Sequence, residues 1–139
     1  MTSLMPYLLF DGNCRQALEF YQSCLGGELK TMQVKDSPAK DSMPEHLQEK
    51  IVHARLKGAG FEIAASDWLA PNQTRRSGNT ICIFLDGTEA QELAALFEKL
   101  SEGAVVTDPL KPQFFGSYGA LNDRFGVRWM FRSGPPAVS

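Results

Sequence analysis

One short string occurs twice in this chain. Leu8-Leu9-Phe10-Asp11-Gly12 returns as Ile83-Phe84-Leu85-Asp86-Gly87, at an offset of 75 residues. The offset persists beyond the string: Asn13 aligns with Thr88, Gln16 with Gln91, Leu18 with Leu93 and Leu25 with Leu100. Asn and Thr favour helix N-caps, and a Gln three positions later has the capping-box spacing. Each copy therefore predicts a strand, an Asp-Gly turn and a capped helix. Cys14, Ala17, Leu18, Tyr21, Cys24 and Leu25 form one apolar stripe at helical spacing, and Leu93, Leu96, Phe97 and Leu100 form another. Gly26-Gly27 and Gly103 supply the stops. Turn, cap, box residue and stripe agree at a single offset, which points to a duplicated unit rather than to two unrelated strand–helix pairs.

Beyond each helix the apolar period shortens towards two. Residues 28–35 alternate loosely. Residues 36–50, with Pro38 and Pro44, predict loop with a short helical turn near 45–49. Residues 51–57 and 61–66 predict strands joined at Gly58-Ala59-Gly60. In the second copy, 104–108, 115–121 and 127–132 are the corresponding strands, the last entered through a turn at 122–126. The order is β-α-β-β-β twice, an α+β fold. A length of 139 residues suits one domain. Within it, module one covers about 4–66, a connection 67–79, module two about 80–132 and a frayed tail 133–139.

Charge narrows the function. Fourteen basic and sixteen acidic side chains leave a net charge of −2, and no basic run exceeds Arg75-Arg76. Nucleic acid, whose binding rests on many Lys/Arg–phosphate contacts, is therefore not expected as a partner. No apolar stretch reaches the ~18 residues of a membrane span. The opening Met1-Thr2-Ser3-Leu4-Met5-Pro6 lacks the basic and apolar regions of a signal peptide. Cys14 and Cys24 on one predicted helix lie roughly 15 Å apart, and a disulfide needs Cα atoms within about 7 Å. With Cys82 they make an odd set that favours reduced thiols and a cytoplasmic protein.

The string Tyr7-Leu8-Leu9-Phe10-Asp11-Gly12-Asn13-Cys14-Arg15-Gln16-Ala17-Leu18-Glu19-Phe20-Tyr21, and the ending Asn122-Asp123-Arg124-Phe125-Gly126-Val127-Arg128-Trp129-Met130, carry a family resemblance. Set in paired βαβββ modules, they resemble the vicinal oxygen chelate superfamily, which includes glyoxalase I, extradiol dioxygenases and bleomycin-resistance proteins. The ending and Ala65-Ser66-Asp67 are most similar to the PhnB-like branch. The resemblance covers roughly residues 4–132. It implies two modules whose curled mixed sheets form a U-shaped cleft, and it implies a homodimer.

Metal enzymes of the superfamily hold Mn, Fe, Zn or Ni in that cleft through one ligand from each of four strands. The corresponding positions here are Pro6, Glu62, Thr80 and Met130. Only Glu62 is a suitable donor, and such sites need several carboxylates or imidazoles, so neither a metal nor another cofactor is expected. Some members of this branch carry a demethylubiquinone-methyltransferase-like description. No Gly-rich loop follows the first strand here, and these strands do not build a doubly wound sheet, so a nucleotide-type cofactor is not expected.

Strand alternation sorts the faces. His53 and Arg55 oppose Val52, Ala54 and Leu56; Glu62, Ala64 and Ser66 oppose Phe61, Ile63 and Ala65. Thr80, Cys82 and Phe84 oppose Ile81, Ile83 and Leu85; Arg128 and Met130 oppose Val127, Trp129 and Phe131. The apolar sides should pack on the helices and the mixed sides should line the cleft. The candidate ligand-binding residues are His53, Arg55, Glu62, Thr80, Phe84, Arg128 and Met130, with Trp68 as a lid and Tyr118 as a hydroxyl donor. An apolar hollow with a few placed polar groups suits a small organic ligand.

Each candidate has a plainer reading. His53 is a candidate general base or an ordinary hydrogen-bonded strand residue. Glu62 and Arg128 either polarise a ligand together or form a structural ion pair. Cys82 is a small apolar residue unless a base lowers its pKa. Trp68 is a lid or a packing residue beside a turn Asp67, and Arg75-Arg76 is a solvated loop pair. The expected function is metal-free binding of a small molecule. The alternative is a divalent-metal-dependent or His53/Glu62 acid–base enzyme of lyase, isomerase or dioxygenase type.

Overall fold

Tyr7–Phe10 forms strand β1 and Cys14–Leu25 forms helix α1 in a computed structural model that describes residues 2–113 and 116–134. Strand β2 follows at Glu28–Gln33, then β3 at Ile51–Gly58 and β4 at Phe61–Asp67. These elements make one compact unit that ends at Arg76, and a second unit begins at Ser77. The strand order in the first sheet is β1-β4-β3-β2, with β1 parallel to β4 and the other pairs antiparallel. Helix α1 packs on β2, β3 and β4. Its buried stripe is the expected one: Cys14, Ala17, Leu18, Tyr21 and Cys24. It meets Phe10, Ala54, Leu56, Ile63 and Ala65, all buried and all of one strand parity. Full burial of a side chain such as Leu18 or Leu56 contributes about 1.5–3 kcal/mol.

The start of α1 differs from the capping box expected of Asn13 and Gln16. Asn13 stands at the N-cap but its side chain makes no capping bond. The Cys14 N–H donates instead to Asp67 Oδ1 at 2.9 Å, and the Ile51 N–H donates to Asp67 Oδ2 at 2.8 Å. Asp67 pairs with Phe10 in the parallel ladder, so its carboxylate arrives where β1 ends and α1 begins. A two-oxygen anion serves two orphan donors at once, which a local Asn cannot do. Asp67 is only 3% exposed and ends β4; it is not the turn residue expected. After α1, Gly27 adopts φ +98°, and a Cβ there would lie 2.7 Å from the Lys57 carbonyl oxygen, so only glycine fits.

The 34–50 stretch forms three short 3₁₀ turns, Val34–Asp36, Pro38–Ser42 and Glu45–Leu47. Ser37 Oγ accepts from the Ala39 N–H, and Gln48 Nε2 donates to the carbonyls of Lys40 and Met43 at 2.9 and 3.0 Å. With the Val34 N–H on the Lys50 carbonyl and the Lys35 N–H on the Gln48 carbonyl, both at 2.9 Å, these bonds brace the segment.

In the second unit, β5 spans Ile83–Gly87, α2 Ala90–Leu100, β6 Val105–Gln113, β7 Gly116–Asn122 and β8 Arg128–Ser133. The strand order β5-β8-β7-β6, with β5 parallel to β8, repeats the first sheet. Leu93, Leu100, Leu121, Trp129 and Phe131 are buried, and the Phe97 and Phe131 rings meet edge to face at 4.8 Å. Asp123 closes the last turn. Its Oδ1 accepts from the Phe125 and Val127 N–H groups, and its Oδ2 accepts from Trp129 Nε1 at 2.8 Å.

Several boundaries depart from the expected ones. Strand β5 starts at Ile83, so Thr80, Ile81 and Cys82 precede it. Ile81, expected in the core, is 85% exposed, and Cys82 is half-buried rather than buried. The N-cap of α2 is Glu89, not Thr88, and it too lacks a side-chain bond. Strand β6 continues to Gln113 through Pro109 and Pro112, with register breaks between Val106, Asp108 and Lys111. It is an edge strand, where proline's missing donor costs no ladder bond. Strand β8 runs on through buried Ser133, into the expected tail. Phe115, expected to open β7, and residues 135–139 lie outside the described residues. Among the described residues no helix is long and apolar enough to cross a membrane.

Candidate functional site

Each sheet has one face on its helix and one face free of it. On the second sheet, the ladder sets Phe84 beside Met130 and Met130 beside Ala120. The next row along joins Asp86, Arg132, Tyr118 and Lys111. Arg128 pairs with Asn122. Alternation puts all of these opposite Trp129 and Phe131, on the helix-free face. The expected Phe84, Arg128, Met130 and Tyr118 are therefore brought together, and Phe84 is 51% exposed. Arg128 Nη1 donates to Thr107 Oγ1 at 3.2 Å, and Nη2 lies 3.8 Å from Asp108 Oδ2. Arg132 is 7% exposed and its Nη1 donates to Asp86 Oδ1. Arg132 was legible by parity with Arg128 and Met130, whereas Thr107 and Asp108 come into play through the irregular register of β6.

On the first sheet, Tyr7, Ala64, Arg55 and Lys30 form one row, and Met32 pairs with His53. The Tyr7 hydroxyl lies 3.3 Å from His53 Nδ1, and the two rings are tilted 33° at 5.9 Å. Arg55 Nη1 is 3.4 Å from Glu62 Oε1, and Arg55 Nη2 donates to Met5 Sδ at 3.7 Å. Tyr7, Leu9 and Met32 add exposed apolar surface. The signal for Tyr7 is the alternation of β1, which sets Tyr7 and Leu9 opposite buried Phe10.

Within the first unit Glu62 is met by Arg55, and within the second Arg128 is met by Asp108. Glu62 pairs with Lys57, four positions along β3 from His53, a separation of about 13 Å at strand rise. Arg75, expected as a solvated charge, donates from Nε to the Leu9 carbonyl at 2.9 Å.

The positions that correspond to a metal set do not fit one. Pro6 offers only its carbonyl, which accepts from the Ala64 N–H at 3.0 Å. Glu62 faces an arginine, Thr80 is exposed ahead of β5, and Met130 supplies a thioether. Among the described residues no three His, Cys, Asp or Glu side chains gather closely enough to hold an ion. All three cysteines are free thiols. Burial, with Asp67 adding and Arg15 opposing, pushes the Cys14 thiol up from 9.0 to about 12. It stays protonated at neutral pH and is inert as a nucleophile.

Trp68 lies just past β4. Its N–H donates to the Phe10 carbonyl at 2.7 Å and its Nε1 to the Gln73 carbonyl at 2.9 Å. It borders a hollow against the 42–47 segment, not the row of Tyr7 and Arg55.

The chain matches the family described as 3-demethylubiquinone-9 3-methyltransferase over residues 2–131. It is 31% identical over 137 residues to protein YjdN of Escherichia coli strain K12, covering 91% of this chain and 92% of that protein. It resembles the crystal structure of protein PA1353 from Pseudomonas aeruginosa, with a TM-score of 0.85 and 38% identity over 96% of this chain and 98% of that one. A structure from Bacillus cereus, described as a putative 3-demethylubiquinone-9 3-methyltransferase and PhnB protein, shares the fold. Its TM-score is 0.73 at 19% identity, over 96% of this chain and all of that one.

Proposed function

The chain belongs to the family described as 3-demethylubiquinone-9 3-methyltransferase, in the PhnB-like branch of the glyoxalase/bleomycin-resistance superfamily, and from that membership we propose that it binds a small organic molecule without a metal. The observation that carries this reading is the helix-free face of the second sheet. There the exposed ring of Phe84 and the thioether of Met130 sit side by side, between the Arg128–Asp108 and Arg132–Asp86 pairs. Apolar contact supplies affinity, and few, fixed polar groups set orientation. Arg128 is already held by Thr107 and Asp108, so it meets a ligand with little ordering cost. The ligand class is a small, partly aromatic molecule with a polar or anionic end.

Three of the arginines on these faces are met by carboxylates, Arg55 by Glu62, Arg128 by Asp108 and Arg132 by Asp86. The about 13 Å between His53 and Glu62 gives no support to an acid–base pair. The family resemblance further suggests a homodimer, and three free thiols suggest a cytoplasmic setting.

Chelator-treated, isotope-labelled protein titrated with small aromatic acids tests the reading by NMR. Shifts should cluster at Phe84, Ala120, Tyr118 and Met130 and stay the same after addition of Mn²⁺, Ni²⁺ or Zn²⁺. Binding that appears only with a divalent ion, or shifts that avoid this face, would overturn it.

A further inference from the structure

We propose that the hollow between the 42–47 segment and residues 68–71 is a second small-molecule site, suited to a flat apolar molecule of about two fused rings with one polar group. The hollow has a volume of about 600 Å³ and is lined by Met43, Pro44, Leu47, Trp68, Leu69 and Pro71, with His46 among its polar lining. That volume lies within the ~300–1,000 Å³ of ordinary ligand sites. All of its walls belong to the first unit.

The sequence of this region makes the lining unusual. Residues 36–50 are mostly polar, and their two large aliphatic side chains, Met43 and Leu47, both border the hollow. Met43, Leu47, Trp68 and Leu69 are all half-buried, so apolar surface is concentrated here and left partly wet. Covering it with an apolar ligand is favourable at about 25 cal/mol per Å² removed from water.

The walls are set before any ligand arrives. Gln48 ties down the Lys40 and Met43 carbonyls, and Trp68 is anchored both at its N–H and at its indole Nε1. The indole N–H is spent on the Gln73 carbonyl, so what Trp68 adds to the lining is apolar surface. The Ser42 hydroxyl donates to the Ala39 carbonyl. His46 is exposed and supplies a polar side chain for the ligand's polar group.

The chain has two tryptophans, and the other, Trp129, is fully buried with its Nε1 on Asp123. Fluorotryptophan labelling therefore gives a reporter in the hollow and an internal control. Titration of the full chain with naphthol should shift the Trp68 fluorine resonance saturably and leave that of Trp129 in place. Met43→Asp, which puts a carboxylate into the apolar wall, should weaken binding by about tenfold or more. Leu69→Ser should act in the same direction, and unchanged amide shifts across α1 and β1–β4 report an intact first unit in either variant. No saturable Trp68 shift up to about 1 mM naphthol, equal shifts of both tryptophans, or affinity unaltered in both variants would overturn the proposal.

Discussion

Replacing Asp67 by Asn exchanges one oxygen for an NH₂ group at nearly constant volume, at a place where the geometry tolerates no donor. Each carboxylate oxygen of Asp67 accepts one backbone N–H, from Cys14 at 2.9 Å and from Ile51 at 2.8 Å. The amide of Asn can serve one of them and must turn a donor towards the other. One charge-assisted bond becomes a neutral one, and one buried N–H loses its acceptor. A bond to a charged group contributes about 1.5–3 kcal/mol and an unsatisfied buried donor costs about 1–3 kcal/mol, so the variant should lose about 2–4 kcal/mol of stability. The loss should be local in origin, loosening the first turn of α1 and the entry to β3. Urea denaturation followed by circular dichroism measures the total, and hydrogen exchange at the Cys14 and Ile51 amides locates it. A destabilisation under about 1 kcal/mol, or unchanged protection at those two amides, would refute the assignment of Asp67 as the cap of α1.

Three further outcomes are expected. The folded chain holds the Cys14 thiol at about 12 against 9.0 for a free thiol. Above pH ~9 the unfolded chain therefore releases a proton that the folded chain keeps, and stability falls as pH rises towards ~12, by up to about 1.4 kcal/mol per unit. Cys14→Ala should flatten that slope relative to the parent in alkaline urea titrations, and identical slopes would contradict it. Gly119→Ala places a Cβ 2.9 Å from the Phe97 ring, 3.1 Å from Leu110 Cα and 3.2 Å from the Asp108 carbonyl. It should cost about 1–3 kcal/mol of overpacking, read as a lowered melting temperature. Glu28→Ala breaks only the exposed pair with Lys30 at 3.7 Å and should change the urea midpoint negligibly.

The order of elements was legible because it is written locally. The offset of 75 and the two helical stripes locate α1 and α2, and Cys14, Ala17, Leu18, Tyr21 and Cys24 are buried as their spacing requires. Alternation likewise placed His53 with Arg55, and Phe84, Arg128 and Met130 together on one face. Where local rules failed, a longer-range contact overrode them. Asn13 and Thr88 look like caps in isolation, yet α1 takes its cap from Asp67, more than fifty positions away. The strand expected over 104–108 runs on through Pro109 and Pro112 because β6 lies at the sheet edge.

Periodicity along a chain says which face a side chain takes, and that much the amino-acid order decided alone: two βαβββ units, their core stripes, and the mixed character of the opposite faces. It does not say which residue stands across the ladder. The parallel pairing of β1 with β4 brings Asp67 to α1, that of β5 with β8 brings Asp86 to Arg132, and the register of β3 keeps His53 away from Glu62. Hydrogen-bond partners and charge pairs depend on distances of a few ångströms between residues far apart in the chain, so only the tertiary structure could decide them.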